Sequence, residues 1–180
     1  GNEAARIYTV FQNANMLVEQ AYLWRLKLFY ELVSQSNSDS HVISIIDIIN
    51  NSYSYFLALG EARAYGSFYL HQSFIDSHGI EILNSNYQTL TRLVNNAEVR
   101  ASEHQKLFDL DKTIPMLDIE AQLLAIRDVL DEQILQVMTL QGSPVEFYTQ
   151  VTDTTAKFYS YNQRLFALAD HLLQQQYAAA

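Results

Sequence analysis

Arg63 is the residue whose type and placement carry the most chemistry in this sequence. A line stepping by three and four runs Val42, Ile45, Ile49, Ser52, Phe56, Leu59, Arg63, Gly66, Leu70. A charge on an apolar helical stripe is costly unless something pairs with it. The guanidinium is planar, donor-only and always charged, which suits a small anion or a carboxylate. Gly66, one turn on, lacks a side chain, so room is expected beside Arg63. Tyr55 and Tyr65, with Ser52 and Tyr69, add hydroxyls on the same helix. The competing reading pairs Arg63 with an acid of a facing helix, or places it at the seam edge with its head in water.

Other chemistry finds no support. There is no glycine-rich phosphate loop, no G-x-S-x-G, no H-E-x-x-H and no kinase signature. His41, His71, His78, His104 and His171 never stand four apart from one another, and no carboxylate completes a metal set. They read as structural or solvated histidines. The acid pairs Asp109/Asp111 and Asp131/Glu132 read as solvated charge. The absence of cysteine removes disulfides, thiol catalysis and Cys-ligated metals. The expectation is no catalytic residue, no metal and no cofactor. A net charge of −9 argues against nucleic acid and anionic membrane as partners.

The elements that must hold these residues are helices. The 180 residues include only 5 Gly and 2 Pro, few enough to suit long helices over turn-rich β structure. Breaks fall at Ser34–Ser40, at Asp76–Gly79, at Asp109–Pro115 and at Gln141–Pro144. At the last, Gly142 suits a helix C′ position, Ser143 an N-cap, Pro144 the first helical turn and Glu146 a capping box. Between breaks the period is helical. Phe147, Val151, Thr154, Phe158, Tyr161, Leu165, Leu168 and Leu172 form one seam. Met116, Ile119, Leu123, Ile126, Leu130, Ile134 and Val137 form another. Ile7, Val10, Ala14, Leu17, Ala21, Trp24 and Leu28 give the first helix an inward line. Helices are expected near 4–34, 41–75, 80–108, 116–140 and 144–176. Short loops between long helices imply an all-α antiparallel up-and-down bundle of four to five long helices. Asp109–Pro115 is the candidate for a kink instead of a reversal. Tyr22, Trp24, Arg25, Phe29 and Tyr30 give the first helix more aromatic surface than one stripe needs, so part of it is expected to meet another subunit. The uninterrupted apolar runs fall short of a membrane span.

Ala62-Arg63-Ala64-Tyr65-Gly66, preceded by Tyr55 and Leu59 and followed by Gly79, resembles the second arginine motif of nitrate- and nitrite-sensing (NIT) domains. Gly142-Ser143-Pro144-Val145-Glu146-Phe147-Tyr148, continuing through Thr152, Phe158 and Leu165, is similar to the last helix of that family. The resemblance covers about residues 50–175. Ala62 stands where the motif has Glu, and Phe147 where it has Trp. It implies an all-helical sensor carried by bacterial histidine kinases, chemoreceptors, nucleotide cyclases or soluble antiterminators. Arg63 alone maps onto an anion-sensing position. Trp24-Arg25 stands on a helix that can face it, which adds Arg25 to the candidate ligand-binding residues Arg63, Gly66, Tyr55 and Tyr65.

Residues 1–180 are thus expected to be one sensor domain on the periplasmic side of a bacterial inner membrane. Gly1 and Ala178-Ala179-Ala180 read as ends introduced by cloning, which makes the chain a piece excised from a longer, membrane-anchored receptor. A histidine kinase is the first expectation for that parent and a chemoreceptor the second. The expected ligand is small and anionic or carboxylate-bearing, and the expected assembly is a homodimer. The alternative is a helical protein-interaction or adaptor module with no small-molecule ligand.

Overall fold

The structure is a computed structural model describing residues 2–35 and 40–179. Among the described residues all regular structure is helical, with no strand. Helix α1 is Asn2–Gln35 and α2 is Ser40–Glu61. A π-helical turn, Ala62–Gly66, leads directly into α3, Ser67–Gln72. Helix α4 is Ser77–Leu110 and α5 is Ile119–Leu130, which ends in a second π turn, Asp131–Leu135. Helix α6 is Pro144–Ala179. The expected helices are all present. The polar break after α1 lies partly outside the described residues, at 36–39.

The chain divides into two compact units, Gly1–Tyr53 with Asn162–Ala180, and Ser54–Tyr161. In the first unit Val42 and Ile46 are buried, with Leu172 and Leu173 of α6 packed against them. Ser52 is buried too. Its hydroxyl donates to the Ile49 carbonyl at 2.6 Å and accepts from Asn162 Nδ2 at 2.6 Å. Tyr30 donates to Asp47 at 2.8 Å. The line expected to face inward on α1 is instead solvent-exposed: Val10 by 69%, Leu17 by 70%, Trp24 by 68% and Leu28 by 57%. Ala14 and Ala21 are exposed with them. The side chains of Ile7, Tyr22 and Phe29 lie outside the described set. Helix α1 carries apolar residues on several faces, so spacing alone could not choose between them.

The second unit begins with α2 turning into its π segment. Its inward line is Tyr55, Ala58, Leu59, Ala62, Tyr65, Gly66, Tyr69 and Leu70. Phe56 and Arg63, expected on that line, are half-buried at its edge, and Tyr55 and Ala62 take the inward places. Ser73 closes α3 in the left-handed conformation, at φ 54°. Asp76 then caps α4, its Oδ1 accepting from Gly79 N–H at 2.8 Å and from Tyr69 O–H at 3.2 Å. These donors hold the Asp76 carboxyl below the usual carboxylate range, the Gly79 amide first. Gly79 is needed because a Cβ there would lie 2.3 Å from the Tyr69 ring.

Asp109–Pro115 is a reversal, not a kink. Arg127 of α5 stacks over Tyr87 in the first half of α4, at 5.5 Å from the ring centroid. Residues 114–120 meanwhile line a cleft with residues 97–108 at the other end of α4. Asp118 caps α5 by accepting from Ala121 N–H at 3.0 Å, so that helix starts three residues later than Met116. It also ends sooner than expected, with the second π turn, and Gln141 N–H returns to the Gln133 carbonyl at 3.0 Å. Gly142 is therefore no helix C′ residue. It sits at φ 103°, and the Gln133 side chain occupies the place of its missing Cβ. Ser143 does cap α6, accepting from Glu146 N–H at 3.3 Å. From there Phe147, Val151, Thr154, Phe158 and Tyr161 are all buried.

Ser40–Gln72 is long and apolar enough to cross a membrane by length and composition, against the expectation from uninterrupted runs. Half of its apolar window is buried within the protein, as in a core helix.

Candidate functional site

Two polar neighbourhoods stand out in the Ser54–Tyr161 unit. The first is the π turn that holds Arg63. A turn closed by i→i+5 bonds contains one residue more than an α turn and is rare, often marking functional positions. Within it Ala62 is fully buried and Arg63 half-buried. Arg63 Nη1 donates to Thr152 Oγ1 at 3.2 Å. The guanidinium carbon lies 5.2 Å from the centroid of the Tyr148 ring, within cation–π reach. Tyr148 and Thr152 stand four apart on α6, so they share a face. No carboxylate is paired with Arg63 among the described residues. The facing-helix ion pair weighed from the sequence is therefore not what holds it.

The room expected at Gly66 is filled. A Cβ on Gly66 would lie 2.4 Å from Phe147 Cε1, and Phe147 itself is 2% exposed. Gly66 thus serves close helix packing, and Tyr148, beside which Arg63 stacks, is half-exposed. Tyr65 is fully buried. Tyr55 is buried with its ring 5.4 Å from that of Phe158. Burial raises the Tyr55 hydroxyl pKa, partly offset by Arg100. Arg25 belongs to the other unit, where it is exposed and stacks 4.1 Å from the Phe166 ring centroid. A polar pair unmarked by the sequence reading lies in this same unit. Buried Asn86 donates to the Ala58 carbonyl at 2.9 Å and to Glu61 Oε2 at 3.3 Å. Burial pushes the Glu61 carboxyl up, against the Asn86 hydrogen bond.

The second neighbourhood centres on His104 and Tyr161. His104 Nδ1 and the Tyr161 hydroxyl are 2.6 Å apart, and the two rings are 5.6 Å apart. Burial, reinforced by nearby Arg100, lowers the His104 pKa to about 4, so the ring is neutral at neutral pH. Burial raises that of Tyr161, with Tyr55 adding to it. Both side chains line a cleft of about 190 Å³ closed on one side by the 114–118 segment. Spacing alone marked His104 as structural and Tyr161 as seam. The cleft depends on where the segment after α4 folds back, which no periodicity encodes. Among the described residues no group of acids and histidines is arranged to hold a metal ion.

No family model, curated protein or solved structure matches the chain.

Proposed function

We propose that this chain is the ligand-sensing domain of a bacterial signal-transduction receptor, resembling NIT domains, with Arg63 as its anion-binding residue. The observation that carries the reading is the Arg63 cluster: a half-buried guanidinium with no acid partner among the described residues, held by Thr152 and Tyr148 of the terminal helix α6. A small anion reaching Arg63 competes with the Thr152 contact and so acts directly on α6. A ligand that binds one arrangement of a helix better than another shifts the population toward it. Coupling of about 1–3 kcal/mol is enough for a signal. In this reading the helices form an antiparallel up-and-down bundle, the domain is periplasmic, and α1 and α6 lead to the membrane of a histidine kinase or, second, a chemoreceptor. The exposed line Val10, Leu17, Trp24 and Leu28 is then the homodimer surface. That same line favours the second reading, an adaptor that binds a protein helix and no small molecule.

Thermal unfolding against nitrate, nitrite, carboxylates and amino acids separates the two. A ligand at 100 times its dissociation constant stabilises the native state by about 2.7 kcal/mol, several degrees for a chain of this size. The sensor reading expects one anion to raise the Tm of the protein and not that of Arg63→Gln. No shift with any anion, or an equal shift in Arg63→Gln, overturns it.

A further inference from the structure

The geometry points to a second ligand site, distinct from Arg63: the cleft beside His104, which we propose takes a small uncharged molecule with a compact apolar body and one hydrogen-bonding carbonyl. The size fits. The cleft holds about 190 Å³, and an apolar cavity of about 150 Å³ accommodates a benzene-sized ring. The floor fits as well. Ala97, Ile114 and Ile119 are buried there, and Phe108 is half-buried beside them. Ligand sites are usually of this kind, mostly apolar with a few placed polar groups.

The placed polar group is His104. Tyr161 engages its Nδ1 and so fixes the ring, while Nε2 has no hydrogen bond among the described residues. In the proposed state Tyr161 donates its O–H to Nδ1, so the neutral ring carries its proton on Nε2 and can donate to a single carbonyl oxygen. The charge of that partner follows from the surroundings. Asp118 and Glu120 also line the cleft and disfavour a carboxylate. Asp118 is committed to the α5 cap, where it accepts from Ala121 N–H, and is thereby unsuited to gripping an ammonium. With Asp118 and Glu120 lining the cleft and the Arg100 cation acting on His104, neither sign of ligand charge is favoured overall, which leaves a neutral molecule. This inference does not depend on the anion reading of Arg63, and neither one requires the other.

Three probes with one ring size and different charge test it: cyclopentanone, cyclopentanecarboxylate and cyclopentylamine. Binding is read by saturation-transfer NMR and by the ¹⁵N resonances of the His104 ring in the whole chain. Cyclopentanone is expected to bind with a dissociation constant of about 1–10 mM, as a six-atom ligand of ordinary efficiency does. It should move the His104 Nε2 resonance. The carboxylate and the amine should bind at least tenfold more weakly. Ala101→Phe, a change at the exposed mouth of the cleft that leaves the buried floor intact, should weaken cyclopentanone at least tenfold. Arg63→Gln should leave it unchanged. An unmoved His104 resonance at 50 mM ketone (roughly five times the weakest expected constant) overturns the proposal. So do equal binding by all three probes, preference for either charged probe, and full binding by Ala101→Phe.

Discussion

The π turn at Arg63 and the cleft at His104 solve opposite problems within one compact unit. At Arg63 there is charge and no spare volume, because Phe147 fills the space that Gly66 opens. At His104 there is volume, and burial keeps the imidazole itself neutral. Close packing and ligand room exclude each other at a given spot. In the proposed reading an anion at Arg63 would displace the Thr152 contact, whereas a molecule at His104 would enter space already there. The first arrangement suits a switch and the second a receptacle.

The comparison can be broken most forcefully at Phe147. Phe147→Ala opens a hole against Gly66 and should cost about 3–5 kcal/mol in urea unfolding. A loss under about 1 kcal/mol would mean that the corner is not tightly packed. The next effect is in pH. The folded pKa of His104 is about 4, against about 6.5 in the unfolded chain. The unfolded state therefore binds more protons between these values, and stability rises with pH across that window. Stability is fully present above pH 6.5 and falls as the pH drops toward 4, by up to about 3 kcal/mol. Urea midpoints at half-unit steps read this slope, and His104→Gln should flatten it. An unchanged slope in that variant would move the cause elsewhere.

Gly66→Ala comes third. The added methyl meets the Phe147 ring and should cost about 1–3 kcal/mol. Phe147→Leu in the same chain should recover part of the loss, a coupling that a double-mutant cycle measures. The smallest effect is expected at the cleft, where Ala101→Phe adds a whole ring to open space and should stay within about 0.5 kcal/mol of the parent. If Ala101→Phe costs more than Gly66→Ala, the contrast between a filled and an open region is wrong.

Much of this arrangement was legible in the sequence, and the parts that were not share a cause. Phe147 through Leu168 was read correctly because α6 has one apolar stripe between polar faces, begun by Ser143 and Pro144. Ile119 through Ile134 was read correctly for the same reason. Arg63 is expected on the apolar line itself, whereas the observed line runs through Ala62 and leaves Arg63 at its edge. The same offset already separates buried Tyr55 from half-buried Phe56, where an apolar phenylalanine and an apolar tyrosine stand side by side and spacing alone does not choose between them. On α1 apolar residues occur on several faces, and the line that spacing points inward is exposed at Val10, Leu17, Trp24 and Leu28. The partners of Asn86 and His104 are not legible in the sequence, since a buried amide and a structural imidazole look like ordinary polar residues until a facing carbonyl or hydroxyl is located.

The π turn at Ala62–Gly66 also bears on how relatives of this chain would be aligned. Removing one residue there would let an unbroken α-helix run from Ser40 to Gln72, with Tyr69 and Leu70 still on the inward line. Such a deletion would reset the turn that carries Arg63, and with it the 3.2 Å contact to Thr152. A homologue that keeps an arginine but is one residue shorter at this spot would thus retain the letter and lose the site. Chain length across five positions, more than the identity of any one of them, marks which relatives share the anion-binding geometry proposed for Arg63.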